Sequence, residues 1–294
     1  MFIRRLPAFD YHTPATLPEA LALMGRYNGT ARLIAGGTDL LLAMKRREAA
    51  PEHLISLAAI EGLKGISSGK EGLRIGSLTT LAEIESSDII KKGYAPLHDA
   101  VRVMASAQVR NLATIGGNLC SAVPSADTAP PLIALAASVR INGQAGERTV
   151  KIEDFFTGAK ACCCGQEEIV TDILVPKPEA LSAGCYLKLM RRHAMDLALV
   201  GVAACITLDK GRCTAARIAL GAVAPTPIRA PEVEERLIGK TLNETTVAEA
   251  AATAGTQCRP ITDIRASLEY RCSMVEVLTR RAVMEAAKRI TEAR

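Results

Sequence analysis

Two short stretches of the chain share one grammar. Residues 33–40, LIAGGTDL, and residues 114–119, TIGGNL, each run from an apolar approach through two adjacent glycines and a small polar residue to an apolar exit. Adjacent glycines cost backbone entropy and are placed where φ is positive or where something must come close to the main chain. Loops of this kind can turn successive backbone N–H groups toward one point and form an anion nest. Two of them could cradle a pyrophosphate from both sides. Neither is G-x-G-x-x-G, and neither carries the Lys of a Walker loop, so the common nucleotide-binding folds are disfavoured. Taken singly, each glycine pair reads first as a turn.

The other reactive residue types form no familiar site. Cys162-Cys163-Cys164 are consecutive. Three adjacent thiols cannot all bind one tetrahedral metal, and neighbours do not form an unstrained disulfide. No C-x-x-C accompanies them. A structural or incidental role is the better reading, with redox sensitivity as the sharper alternative. The four histidines have no metal-ligand spacing, and no metal ligands are assigned. No Ser/His/Asp arrangement is present, which leaves hydrolysis without residues to carry it.

The elements that must position the glycine loops follow from pattern. Thr16 is a candidate N-cap, with Pro18 and Glu19 in the first turn of a helix running to about Tyr27. Residues 31–35 and 53–57 read as short strands, the first leading directly into Gly36. Residues 73–75 read as a strand, followed by a helix capped by Thr79 or Thr80. From Tyr94 to about Val109 apolar residues recur at helical spacing. A hairpin is expected from 138–141 to 148–152 around Asn142-Gly143. Residues 169–176 form a strand ending in the proline-containing linker PKPEALSAG, where the main domain boundary is placed. Beyond it come strands over 185–192, 196–208 and 213–223, the last two joined by a hairpin at 209–212. A loop at 224–231 and helices over about 231–238, 245–257 and 265–292 complete the chain. A small antiparallel sheet backed by helices is the economical reading.

Composition sets the class. The 294 residues suffice for one large or several smaller domains, each with a real core. Apolar residues make up 49% but aromatics only 3%, with no Trp, so the core must be built from Ala, Leu, Ile and Val. That suits an α+β or α/β enzyme and argues against a base-stacking surface. The formal charge of +5 is spread along the chain, with short clusters such as Lys45-Arg46-Arg47, and gives nucleic-acid binding little support. No window reaches the roughly 18 apolar residues of a membrane span, and MFIRRLPAFDYHTP lacks the apolar run of a secretory signal. Nine cysteines without a regular framework read as free thiols in a reducing compartment, so a soluble, cytoplasmic protein is expected.

Four segments, in order, carry a resemblance that covers essentially the whole chain: AGGTDLLLAMKRR, RNLATIGGNLCSAVPSAD, EIVTDILVP and YLKLMRRHAMDLALVGVA. Together they resemble the FAD-binding medium subunits of molybdenum hydroxylases, of the carbon monoxide dehydrogenase and xanthine dehydrogenase type. The resemblance implies an α+β protein. A two-part FAD-binding domain of the vanillyl-alcohol-oxidase type would occupy residues 1–178, with parts at about 1–58 and 59–178. A small C-terminal domain would occupy 179–294. It further implies an oxidoreductase flavoprotein subunit, partnered by a large molybdopterin subunit and a small [2Fe–2S] subunit. Electrons would pass from the clusters through FAD to NAD or another acceptor.

Carried over by motif, Leu33, Ile34, Ala35, Gly36, Gly37, Thr38, Asp39 and Leu40 would form the first FAD loop, its amides on phosphate oxygens and the Thr38 hydroxyl adding a donor. Thr114, Gly117 and Asn118 would hold the other side of the dinucleotide. On this reading the glycines let the pyrophosphate lie against bare backbone. Asp127 would contact cofactor hydroxyls, Ile169 and Val170 would lie near the isoalloxazine, and Lys188 would reach the flavin region. The alternatives for these are a cap, ordinary core and a solvated strand end. No residue is assigned a catalytic role in its own right. Leu197 follows Asp196 where many relatives carry an aromatic or bulky group. The loops contain no histidine to link a flavin, and Cys120 reads better as a small residue packed beneath the second loop, so non-covalent FAD is expected.

Overall fold

The computed structural model describes residues 5–192 and 194–292. His193, part of the basic Arg191-Arg192-His193 cluster, lies outside the described residues. The chain opens with a three-stranded parallel sheet, β1 (Asp10–His12), β2 (Ala31–Ile34) and β3 (His53–Ser56), in the order β1-β3-β2. The crossover helix Leu17–Arg26 starts where the sequence predicts, with Thr16 Oγ1 accepting from the Glu19 amide at 3.3 Å. Ala20 and Met24, one helical turn apart, are its buried residues, and they pack with Ile55 and Leu57.

A five-stranded antiparallel sheet follows. Its members are β4 (Ile66–Gly69), β5 (Gly72–Gly76), β6 (Ser138–Gly143) and β7 (Gly146–Lys151), then, after a short pair β8 (Phe156–Gly158) and β9 (Ala161–Cys162), the long strand β10 (Glu168–Pro176). The order β4-β5-β10-β6-β7 puts β10 in the middle. That explains why EIVTDILVP is a near-continuous buried run rather than an alternating one, for a central strand is covered on both faces. Short helices between β5 and β6 bury Leu81, Ile84, Ile90, Leu97, Ile115, Leu119 and Leu132 in the main core.

Two local expectations are corrected here. The helical pattern from Tyr94 to Val109 is two helices, Ala95–Arg102 and Ala107–Arg110. Ala105 breaks it at φ 46°, and Ser106 restarts it by accepting from the Val109 amide at 3.4 Å. The hairpin between β6 and β7 turns at Gln144-Ala145, not at Asn142-Gly143. Gly143 pairs with Gly146 across the ladder, and Gly146 takes the positive φ of 108°.

The C-terminal part is a four-stranded antiparallel sheet of β11 (Ser182–Leu189), β12 (Val200–Asp209), β13 (Arg212–Gly221) and β14 (Ile228–Arg229). The last lies within the segment read as a loop. β12 begins at Val200 rather than 196, because the Asp196 carboxylate accepts from the Arg191 and Arg192 amides at 2.7 and 3.0 Å, which ties Asp196 back to those residues. The helix Leu268–Glu292 crosses β11 and β12 and buries Val275, Leu278, Ala282, Ala286 and Ile290 at three- and four-residue spacing.

The two parts share one seam. Tyr186, Ala203 and Ala219 of the C-terminal sheet belong to the same core as Leu97 and Leu132. Small residues allow the approach: a Cβ on Gly184 would stand 2.7 Å from Pro96, and one on Gly221 would stand 2.6 Å from Pro130. Arg289 crosses the seam to Asp99 at 2.7 Å. Among the described residues no helix is long and apolar enough to cross a membrane.

Candidate functional site

The first glycine loop is anchored by parallel pairing, Leu33 against Ile55 and Ile34 against Ser56. Ala35 to Thr38 then turn into a short helix, Leu40–Arg46, with Asp39 at its N-cap. Gly37 has φ 70°, a conformation that side chains disfavour. Gly36 is there for a different reason: a Cβ on it would lie 1.9 Å from the Leu112 carbonyl oxygen. The Leu41 and Ala43 amides are taken by Gly37 and Asp39, but those of Gly36, Gly37, Thr38 and Asp39 donate to no group among the described residues. Four successive half-exposed to exposed residues thus present unpaired donors.

The second loop is wired differently. It too opens a short helix, Ile115–Ser121, with Thr114 Oγ1 accepting from the Gly117 amide at 3.1 Å. The Ile115 amide donates to Thr79 O at 3.0 Å, Gly116 to Ser77 O at 2.8 Å, and Asn118 to Thr114 O at 3.0 Å. The amides from Ile115 to Asn118 are therefore spent inside the protein. Gly116 is buried, and a Cβ there would meet Ser77 at 2.7 Å. So Gly36 and Gly116 each make room for neighbouring protein, and of the two loops it is the first that presents a row of unpaired amides among the described residues. What the second loop offers outward is side chain. Asn118 Oδ1 accepts from Thr128 Oγ1 at 2.5 Å, which leaves its Nδ2 as the donor.

The loops are brought together directly. Gly36 packs on the backbone just before Thr114, and Ser121 Oγ donates to Asp39 Oδ2 at 2.7 Å. Thr128, which fixes Asn118, is the neighbour of Asp127. The Asp127 carboxylate is buried at 6% exposure and accepts from Tyr186 Oη at 2.6 Å and Lys188 Nζ at 2.8 Å. Burial pushes its pKa up, while the Lys188 charge and the two hydrogen bonds pull it down. The Tyr186 hydroxyl is pushed up as well, by burial and then by the Asp127 charge. Lys188 is no solvated strand end: its ammonium also donates to Asp196 O at 2.9 Å and Val103 O at 3.3 Å. Ile169 is buried in the small cluster against which Leu33 and Ala35 pack, and Val170 is buried in the main core. All the residues singled out by motif thus form one connected strip, from the end of β2 to β11.

Sequence reasoning missed Ser77, Ser121, Thr128 and Tyr186. Tyr186 left a readable signal, since it lies two residues from Lys188 and so on the same face of a strand. Across the ladder Lys188 faces Gly201, and a Cβ on Gly201 would stand 2.5 Å from Tyr186 Oη. The glycine makes the space in which the tyrosine reaches Asp127. A separate cavity of ≈ 560 Å³, lined by residues including Tyr11, His12, Glu19 and Arg26, contains none of the site residues. Among the described residues no group of three or more His, Cys, Asp or Glu side chains is arranged to hold a metal ion.

The donor set fits a dinucleotide. A row of free amides suits a pyrophosphate, which brings negative charge and only acceptors. The side chains of Thr38 and Asn118 add donors for the less charged parts of the same molecule.

Comparison with known proteins supplies the family. The family described as the FAD binding domain in molybdopterin dehydrogenase matches residues 7–178, and the CO dehydrogenase flavoprotein C-terminal domain matches residues 185–286. The chain is 36% identical over 281 residues to the glyceraldehyde dehydrogenase medium chain of Sulfolobus acidocaldarius, covering 96% of this chain and 99% of that one. It is 33% identical over 279 residues to a putative xanthine dehydrogenase FAD-binding subunit of Escherichia coli, covering 94% and 95%. The structure superposes with a TM-score of 0.93 on a chain of carbon monoxide dehydrogenase from Hydrogenophaga pseudoflava, at 36% identity and covering 97% and 99%. The free amides of the first loop, the buried carboxylate of Asp127 and these full-length likenesses lead to one assignment: the chain belongs to the FAD-binding medium subunits of the molybdenum hydroxylases, oxidoreductase flavoproteins of the carbon monoxide and xanthine dehydrogenase type.

Proposed function

We propose that this chain is the electron-transfer subunit of a cytoplasmic molybdenum hydroxylase complex, with FAD held non-covalently between residues 33–40 and 114–118. In such a complex electrons pass from the [2Fe–2S] clusters of a small partner subunit to FAD and on to NAD or another acceptor, while substrate is hydroxylated at a molybdopterin centre on a large partner subunit. The observation that carries the reading is the row of unpaired amides from Gly36 to Asp39, beside the buried Asp127–Lys188 pair.

The work of the chain's own residues follows. The amides of Gly36 to Asp39 bind the pyrophosphate, with the Thr38 hydroxyl beside them. Asn118, fixed by Thr128, turns its amide nitrogen toward the other side, and Thr114 and Gly117 hold that loop in shape. Ile169 supports the first loop from beneath, and Val170 continues the apolar wall. Asp127 and Lys188 set a fixed, water-excluded pair of charges beside the cofactor. Residues 1–178 would thus carry the cofactor, and residues 179–294 would supply Tyr186 and Lys188.

The test compares the isolated, FAD-loaded chain with the reconstituted complex. In isolation it should be yellow, pass electrons between a pyridine nucleotide or a dye and an artificial acceptor, and leave the organic substrate untouched. With both partners present, the organic substrate should be oxidised. Full substrate oxidation by the isolated chain would overturn the proposal in favour of a stand-alone oxidase.

A further inference from the structure

Cys120 and the run Cys162-Cys163-Cys164 are far apart in sequence and meet in the fold. Cys120 lies in the last turn of the helix Ile115–Ser121, the one that opens at Thr114, and is exposed. That helix packs directly on β9, which ends in Cys162. The Lys160 amide donates to Ala122 O at 2.9 Å and fixes the two segments side by side. All four thiols are free. We propose that Cys120 and Cys162 are a peroxide-reactive dithiol, with Cys162 as the attacking thiol and Cys120 as its resolving partner.

The three consecutive cysteines are not equivalent. Cys164 Sγ donates to Glu168 O at 3.4 Å, and burial first, then the neighbouring thiols and Glu168, push it up to about 12, so it stays protonated. The Cys163 amide is tied to Phe155 O at 2.8 Å, and its side chain packs with those of Cys162 and Cys164 against the main core. Cys162 is the acidic member. Hydrogen bonding with Cys120 is the main cause, the Cys164 backbone adds to it, and against the opposing effect of burial they bring Cys162 down to about 6. The same hydrogen bonding, first among its causes, raises Cys120 well above the ordinary thiol value. The two thiols are thus pushed in opposite directions, Cys162 toward ionisation and Cys120 toward staying protonated. An accessible thiolate beside a protonated second thiol is the arrangement of a redox-sensing pair.

The chemistry balances with one hydroperoxide as oxidant. The Cys162 thiolate sulfur attacks a peroxide oxygen, the O–O bond breaks, hydroxide leaves, and Cys162 becomes a sulfenic acid. The Cys120 sulfur then attacks that sulfur, the S–S bond forms, the S–O bond breaks, and the oxygen departs as water with the Cys120 proton. The hydroxide takes up the proton that Cys162 released to solvent on ionising, so two thiols and one hydrogen peroxide give one disulfide and two waters. The bond would join the helix carrying Thr114 and Asn118 to β9.

The experiment treats the full-length, FAD-loaded protein with hydrogen peroxide and maps disulfides by peptide mass spectrometry. The expected product is a single Cys120–Cys162 bridge formed before the other seven cysteines react. In Cys120→Ser the reaction should stop at a Cys162 sulfenic acid that dimedone traps, and in Cys162→Ser the fast phase should fall at least tenfold. The rate for the unaltered protein should rise through pH 6 and level off near pH 8. First oxidation at any other cysteine, an unchanged fast phase in Cys162→Ser, or a rate that keeps rising past pH 9 would overturn the proposal. The mapping on unaltered protein decides the matter even if a variant fails to fold.

Discussion

Lys188 shows how much a single side chain can carry. Its ammonium is 1% exposed and has three acceptors, of which only Asp127 bears a charge. Replacing Asp127 with Asn leaves a buried cation facing two carbonyls and an amide, which should cost about 3–5 kcal/mol. Urea unfolding of Asp127→Asn measures that loss. The double variant Asp127→Asn with Lys188→Met should be more stable than Asp127→Asn alone, because the orphaned charge has gone. Strict additivity of the two substitutions would show that the pair is not coupled. Tyr186→Phe removes one hydrogen bond to the carboxylate and should cost about 1.5–3 kcal/mol. Flavin content, read from the visible spectrum, separates the site's contribution from plain stability in all three.

At the scale of elements, the glycine pairs divide by position rather than by loop. Gly36→Ala and Gly116→Ala push a methyl into Leu112 and Ser77, so both should lower stability with or without flavin, by about 1–3 kcal/mol. Gly37→Ala meets no backbone atom among its nearest neighbours but must keep φ at 70°, so its cost should be smaller and its main effect should be weaker flavin retention. Thermal melting of apoprotein, set beside flavin content, distinguishes the two classes. Equal behaviour of Gly36→Ala and Gly37→Ala would refute the division. The sequence displayed the loops, the flanking strands and the family motifs because these are local patterns. It did not display which amides are spent, since Ser77 and Thr79 reach the second loop only through the fold. The turn at Gln144-Ala145 was hidden for a similar reason: β6 keeps Asn142 and Gly143 in its ladder with β7 and pairs Asn142 with Ile169 of β10. Ala105 carried no signal at all, for a left-handed alanine is set by its surroundings.

At the scale of the whole molecule, the two parts cannot be pried apart without exposing core. Tyr186, Ala203 and Ala219 pack among the helices of the N-terminal part, and Arg217 donates across the seam to Ile133 O at 3.0 Å. Calorimetry should therefore show one cooperative transition, and two well-separated transitions would contradict a shared core. The Lys188–Asp127 link has a further consequence for how the seam answers its surroundings. Ions in solution weaken attractions between charges they can surround, and this pair is sealed from them. Arg192–Asp196 and Lys288–Glu292, by contrast, stand at the surface with their cations well exposed. Concentrated salt should thus quiet the rim while the joint between the two parts holds, so the subunit would keep its internal alignment under ionic conditions that loosen its outer face.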